Sequence, residues 1–344
     1  EAGCGVIRPG LFGQHDSISM ELIRGIHNLR PRHRACAATI GNFDGVHLGH
    51  QAVLGQLSEH AVAMHLPVTV ITFEPQPREF FTPERVPPRL TRLREKVEAL
   101  RRFGVDRLLC LRFGGHLAGL PPEEFIRIIL LEGLDVKYLV VGDDFRFGRD
   151  RAGTFELLER TGAVHGFPVV NMHTFNVNGA RVSSTRVREA LEAGDLAGAE
   201  LLLGRPYRMS GRVAHGDKRG RTIGFPTANI FLHRSATPVQ GVFAVELFGI
   251  EGEPVRGVAN VGNRPTVDGT RSLLEVHLFD FNREIYGCHV QVEFLHKLRP
   301  ERRFESFDAL KRQIEEDARQ TIAALKNLFP GLIPSDPDEP DQES

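Results

Sequence analysis

The chain has 344 residues, of which 41% are apolar and 25% charged, and its 43 basic side chains nearly cancel the 44 acidic ones. A length above the ~250–300 residues at which a single core stops growing predicts two domains, and the balanced charge lacks the basic excess of a nucleic-acid binder. No apolar run reaches the length of a membrane span, the start carries Glu1 and polar residues instead of a signal-sequence pattern, and Cys4, Cys36, Cys110 and Cys288 form no C-x-x-C pair. The expectation is a cytoplasmic protein with reduced thiols and no membrane or nucleic-acid partner, a monomer or weak homo-oligomer.

Residues 1–19 show no clean period and are read as an unstructured leader, with the regular pattern opening at Met20. From residue 34 to about 203, the β-rich runs ACAATIG, VTVITF, RLLCLRF, YLVVG and FPVVNMHTF alternate with helical segments such as 49–64 and 92–103. That alternation predicts a parallel sheet with crossover helices. After 203 the rhythm changes to GRVAHG, GVFAVELFG, VRGVANVG, SLLEVHLFDF and HVQVEFL, short strands punctuated by glycine at the spacing of a small antiparallel barrel. Beyond Pro300, Phe307, Leu310, Ile314, Ala318, Ile322 and Leu325 recur at helical intervals, predicting an amphipathic helix packed on the barrel. The stretch SDPDEPDQES reads as a disordered acidic end.

The run ACAATIG leads into GNFDGVHLGH, so Gly41, Asp44, Gly45, His47 and His50 fall at the carboxyl end of a strand and the mouth of the next helix, where open α/β sheets bind substrates. A helix start offers N–H groups and partial positive charge, glycines let the backbone approach phosphates, and the two imidazoles add donors on one face. Such a set can hold ATP and stabilise charge at an attacked α-phosphorus without a side-chain nucleophile. A surface pair of histidines has the same spacing. Further on, RVSSTRVREAL puts Arg181, Ser184, Thr185 and Arg188 at a helix start. Hydroxyls cap there and arginines reach phosphate oxygens, although an ordinary N-cap with solvated arginines reads alike.

The segment GRVAHGDKRGRTIGFPTAN supplies Gly211, Gly216, Gly220 and Gly224 ahead of Thr227 and Asn229, without the G-x-x-x-x-G-K-[ST] of a P-loop. It is either a glycine-rich hairpin whose amides fold over polyphosphate or a plain β turn. Thr227 and Asn229 point to one face of a strand, where neutral oxygens suit a nucleotide-bound Mg²⁺ that keeps most of its waters. In SLLEVHLFDF, alternation sets Glu275, His277 and Phe279 opposite Leu274, Val276 and Leu278. Glu275 is the candidate base or orienting group for a hydroxyl, and a solvated strand face is the other account of that pattern.

The pattern H-x-G-H with a later S-S-T-x-x-R resembles the nucleotidylyltransferase superfamily. The strings GNFDGVHLGH, TFEPQPREFF, VVGDDFRFG and SSTRVR, followed in order by GRTIGFPTAN, GVFAV, VANVGNRPTV, LEVHLFDF, EIYG and LRPERRF, resemble the bacterial bifunctional riboflavin kinase/FAD synthetase family over about residues 20–328. The resemblance implies a Rossmann-like α/β nucleotidylyltransferase domain at 20–203, then a mainly antiparallel six-stranded flavokinase-like β-barrel with a C-terminal helix at 204–330, before the tail at 331–344. It implies phosphorylation of riboflavin to FMN and adenylylation of FMN to FAD with release of pyrophosphate, ATP and Mg²⁺ serving both.

By the same resemblance His47 and His50 are catalytic and, with Gly41, Asp44, Gly45, Arg181, Ser184, Thr185 and Arg188, bind ATP. Pro77, Phe81, Asp144 and Phe147, from segments 75–81 and 143–148, hold FMN. Gly211, Gly216, Gly220, Gly224, Thr227 and Asn229 bind the kinase's ATP, the last two also its Mg²⁺, and Glu275 is the base for the ribityl 5′-hydroxyl. Asp144 stands where some relatives carry Asn, which leaves its polar contact open. Two rival classes are a nucleotidylyltransferase of single activity and a flavin-binding or regulatory protein without turnover. Thr227, Asn229 and Glu275 count against the first, and these residues with His47 and His50 count against the second.

Overall fold

The computed structural model describes residues 20–172, 174–214, 227–234, 236–250, 252–266, 269–302, 305 and 307–328. The expected leader and acidic tail, and Gly216, Gly220 and Gly224, lie outside the described residues. Two compact units divide the chain: residues up to Phe43 with His50–Pro83 and Val97–Thr174, and Asp44–Gly49 with Glu84–Lys96 and the chain from Phe175 onward.

The first unit is built on a parallel sheet of β1 (Glu21–Arg24), β2 (Cys36–Ile40), β3 (Val68–Glu74), β4 (Arg107–Arg112), β5 (Val136–Gly142) and β6 (Val169–Met172), in the order β1-β4-β3-β2-β5-β6. β2 is buried throughout and β3 as far as Phe73, the unbroken burial of a strand covered on both faces, with Thr39, Thr69 and Thr72 among the apolar side chains. The helices α1 (Leu48–Ala63) and α3 (Leu93–Arg102) fall where the pattern places them, and α2 (Pro77–Phe81) follows β3. Two short helices, α4 (Gly115–Ala118) and α5 (Pro122–Phe125), lead into a π-type stretch, Ile126–Gly133. Phe125, Ile126, Ile129 and Leu130 pack there with Ile71, Leu109 and Leu139 of the sheet. Each such side chain contributes roughly 1.5–3 kcal/mol by burial.

The pattern missed β1 and α6 (Phe155–His165). β1 is a four-residue edge strand, registered Glu21↔Arg107 to Arg24↔Cys110, too short to display a period. α6 carried a legible start, Thr154, whose Oγ1 accepts from Leu157 N at 3.4 Å. The growth of the sheet reverses at β2, with β3 on one side and β5 on the other, so the segments leaving β2 and β5 flank a topological switch point.

In the second unit a small hairpin, β7 (Asn176–Val177) and β8 (Ala180–Arg181), precedes α7 (Ser184–Ala193) and α8 (Leu196–Leu203). Gly194, at φ 82, ends α7 in the left-handed region, and Asp195 caps α8 by accepting from Gly198 N at 2.8 Å. Six antiparallel strands then close a barrel in the order β10-β13-β12-β11-β14-β9: β9 (Arg208–Ala214), β10 (Thr227–Phe231), β11 (Gly241–Phe248), β12 (Val255–Thr266), β13 (Gly269–Leu278) and β14 (His289–Arg299). Its interior holds Met209, Val213, Ile230, Phe243, Val245, Ala259, Leu274, Val276, Val292 and Phe294.

The C-terminal helix α9 (Phe307–Leu328) packs on β11, β12 and β14, as expected. Its buried seam differs from the apolar stripe: Leu325 is buried and Ile314 and Ala318 half-buried, but Ile322 is 42% exposed, while Asp317 and Thr321 are buried. Arg299 explains the rotation. Its Nε and Nη2 donate to the two Asp317 oxygens at 2.8 and 2.6 Å, a bidentate pair that lets a carboxylate occupy an apolar seam.

Candidate functional site

Within the second unit, Asp44, Gly45, Val46 and His47 form a tightly specified loop before α1. The Asp44 carboxylate, 2% exposed, accepts from Leu90 N at 3.2 Å, Thr91 N at 2.9 Å, Thr91 Oγ1 at 3.2 Å and Arg188 Nη2 at 2.5 Å. Arg188 also donates Nε to Pro88 O at 2.7 Å, and Ser184 Oγ donates to Asp44 O at 2.9 Å. Gly45 sits at φ 84, where an added Cβ would come within 2.7 Å of Leu90 Cδ1, so both conformation and space require glycine. The α7 cap is Ser183, which accepts from Arg186 N at 3.3 Å, one residue before the expected hydroxyls; Thr185 and Arg181 are exposed.

His47 is 6% exposed. Burial pushes its imidazole from 6.5 down to about 4, with Asp44 opposing and Arg188 and Arg205 adding to the shift. It is therefore neutral at physiological pH and offers one N–H rather than a charge. Because the unfolded chain takes up this proton near pH 6.5 and the folded chain only near 4, stability conferred above pH 6.5 is lost as pH falls toward 4. Thermal melts across that window should show a shallower fall for His47→Gln than for the parent. Equal slopes would refute the assignment.

In the first unit, Gly41 follows β2 and His50 lies in the first turn of α1, its ring 4.8 Å from that of Phe43. The FMN candidates separate. Phe81, 60% exposed, forms an aromatic cluster with Phe80, 41% exposed, and Phe113, at centroid distances of 5.3, 5.6 and 5.7 Å. Phe147 is instead buried between Phe125 at 5.2 Å and Phe145 at 5.5 Å, a packing position. Pro77 opens α2, and Asp144 lies in the segment leaving β5. Sequence reasoning missed Phe80 and Phe113. Phe80 was readable in the string REFF, whereas Phe113 joins it only because β3 and β4 are neighbours.

On the barrel, register assembles the second set. Asn229 of β10 is opposite Glu275 of β13, which is opposite Asn260 of β12, and Thr227 is opposite His277. Leu274, Val276 and Leu278 are buried in the barrel core, so Glu275 and His277 are on the outer face, both half-buried. Asn260, absent from the sequence reading, has its Oδ1 buried with no hydrogen-bond partner among the described residues. Gly211 belongs to strand packing: a Cβ there would lie 2.5 Å from Phe231 O. The hydroxyl of Thr227 and the amide oxygen of Asn229 are hard neutral donors on one face, a set that fits Mg²⁺ sharing its shell with water and nucleotide oxygens.

A parallel α/β sheet followed along the chain by a closed antiparallel barrel is the architecture of a two-module transferase, and each half matches one enzyme family. Residues 29–186 match FAD synthetase and residues 203–325 match riboflavin kinase. The chain belongs to the bifunctional riboflavin kinase/FMN adenylyltransferase family. A relative of that name from Escherichia coli (strain K12) is 53% identical, covering 87% of this chain and 96% of its own, and one from Haemophilus influenzae is 51% identical, covering 90% and 100%. A solved structure described as a macrolide-efflux protein from Streptococcus pneumoniae superposes with TM-score 0.75 and 33% identity, covering 88% of this chain and 99% of its own. That description stays with that protein; among the described residues here no helix is long and apolar enough to cross a membrane.

Proposed function

We propose that this chain makes FAD in two steps, riboflavin phosphorylation by residues 204–330 and FMN adenylylation by residues 20–203. The register that sets Asn229, Glu275 and Asn260 side by side carries the kinase assignment. The Glu275 carboxylate accepts the proton of the ribityl 5′-hydroxyl as that oxygen attacks the γ-phosphorus of ATP; the bond to the β-phosphate oxygen breaks and ADP leaves. Thr227 and Asn229 would hold Mg²⁺, whose charge offsets that of the phosphates.

In the adenylyl step, a phosphate oxygen of FMN attacks the α-phosphorus of ATP and pyrophosphate departs. His50, neutral His47, Arg181 and Thr185 supply donors to the phosphates, and Gly41 and Gly45 allow the backbone close to them. The hydrogen bonds of Asp44, Arg188 and Ser184 support a part in holding the loop. The exposed Phe81, with Phe80 and Phe113, is the platform for the isoalloxazine ring, while Pro77, Asp144 and buried Phe147 shape its surroundings. Free thiols at Cys36, Cys110 and Cys288 support a reducing, cytoplasmic setting.

Incubation with riboflavin, ATP and Mg²⁺ should yield FMN and then FAD, and EDTA should abolish both products. FMN without FAD would give the N-terminal region another substrate. Retention of both flavin products in EDTA would remove the metal from the mechanism.

A further inference from the structure

The loop leaving β2 depends on a side chain far along the sequence. Arg205 directs Nη2 to Gly45 O at 2.7 Å and Nη1 to Val46 O at 3.1 Å, with Leu203 O a further acceptor at 3.3 Å. It reaches 159 and 160 residues back along the chain to two consecutive carbonyls, just before His47. Those carbonyls belong to residues in unusual backbone conformations, Gly45 at φ 84 and Val46 at φ 44, and a left-handed non-glycine residue persists only where its surroundings over-determine it.

Peptide planarity gives these bonds a consequence for phosphate. In a trans peptide the C=O of one residue and the N–H of the next point opposite ways. With the Gly45 and Val46 carbonyls drawn to the guanidinium, the amides of Val46 and His47 are directed to the other side. Successive backbone amides in a turn conformation make a concave donor arrangement that suits anions. The same bonds hold two partly negative oxygens against a cation, away from an approaching triphosphate. Asp44 and Ser184 fix the preceding peptide, through Thr91, Arg188 and the Asp44 carbonyl.

We propose that Arg205, which lies within the riboflavin kinase match and outside the FAD synthetase match, is a positioning residue for adenylyl transfer. It acts through the backbone of Gly45 and Val46 and touches no substrate. The inference rests on reading residues 41–50 as the adenylyl-transfer site. It adds a dependence of the first activity on a residue of the second module.

The test uses the full chain carrying Arg205→Met, which keeps an apolar stem and removes the donors, Arg205→Lys, and His50→Ala in parallel, with riboflavin phosphorylation and FMN adenylylation assayed separately. Arg205→Met should lower kcat for FAD formation by roughly tenfold to a hundredfold, the scale of a misplaced catalytic group, with KM for FMN and the kinase rate changed by no more than about twofold. Arg205→Lys should recover part of the loss, since an ammonium can serve one of the two carbonyls. FAD formation at the parent rate in Arg205→Met, with His50→Ala impaired, would overturn the role of Arg205 alone. Equal losses in both reactions with no rescue by lysine would also overturn it, by making Arg205 a general stability residue. Undiminished FAD formation in His50→Ala would overturn the reading of the loop itself.

Discussion

Glu275→Gln abolishes FMN formation from riboflavin and leaves conversion of supplied FMN to FAD running; this is the largest effect expected of any single change. Glutamine has nearly the shape of glutamate and retains an acceptor oxygen, but it cannot take a proton at neutral pH. The residue lies on the outer face of β13 between Asn229 and Asn260, with Leu274 and Val276 filling the barrel beneath, so the core is untouched. A general base contributes roughly a hundredfold to ten-thousandfold, and a kinase rate that fell by less than about tenfold would demote Glu275 to a strand-face residue. The two half-reactions separate loss of a base from damage. A misfolded barrel lowers the melting temperature, whereas loss of the base alone leaves stability and riboflavin affinity in place.

His50→Ala has the opposite signature: FAD formation falls and riboflavin phosphorylation persists. The side chain sits in the first turn of α1, half-buried and in ring contact with Phe43, where a preorganised N–H can meet negative charge growing on the attacked phosphate. Removal of one such donor costs roughly a hundredfold to a thousandfold in kcat. Steady-state assay of FMN adenylylation checks this directly, and an unchanged rate would remove His50 from the site. Asparagine is the informative second variant, because its amide restores a donor on a short polar side chain while giving up the ring.

Much of the architecture was legible because it is written in local periods. Short β-rich runs between helical segments marked the parallel strands, short strands punctuated by glycine marked the barrel, and the alternation that sets Glu275 opposite Leu274 and Val276 showed which side of β13 faces outward. The helix start at SSTRVR was visible to within one residue, since capping is a local matter between a hydroxyl and an amide three residues on. β1 was too short to show a period, and α9 misled because buried Asp317 is satisfied by Gln313 one turn before it and by a bidentate pair with Arg299, a partner on another element.

What the sequence determined by itself was the order of the elements, the two fold classes and the candidate side chains of each site, all carried by residues near one another in the chain. Which of those side chains meet was decided only by tertiary structure. β-register sets Asn229 opposite Glu275, Phe113 joins Phe80 and Phe81 beside neighbouring strands, and Arg188 and Arg205 close on residues 44–46 across more than a hundred positions. Such contacts have no sequence period. They arise because a buried carboxylate or an inward-turned carbonyl must find a donor, and the donor is whichever one the packed core brings within reach.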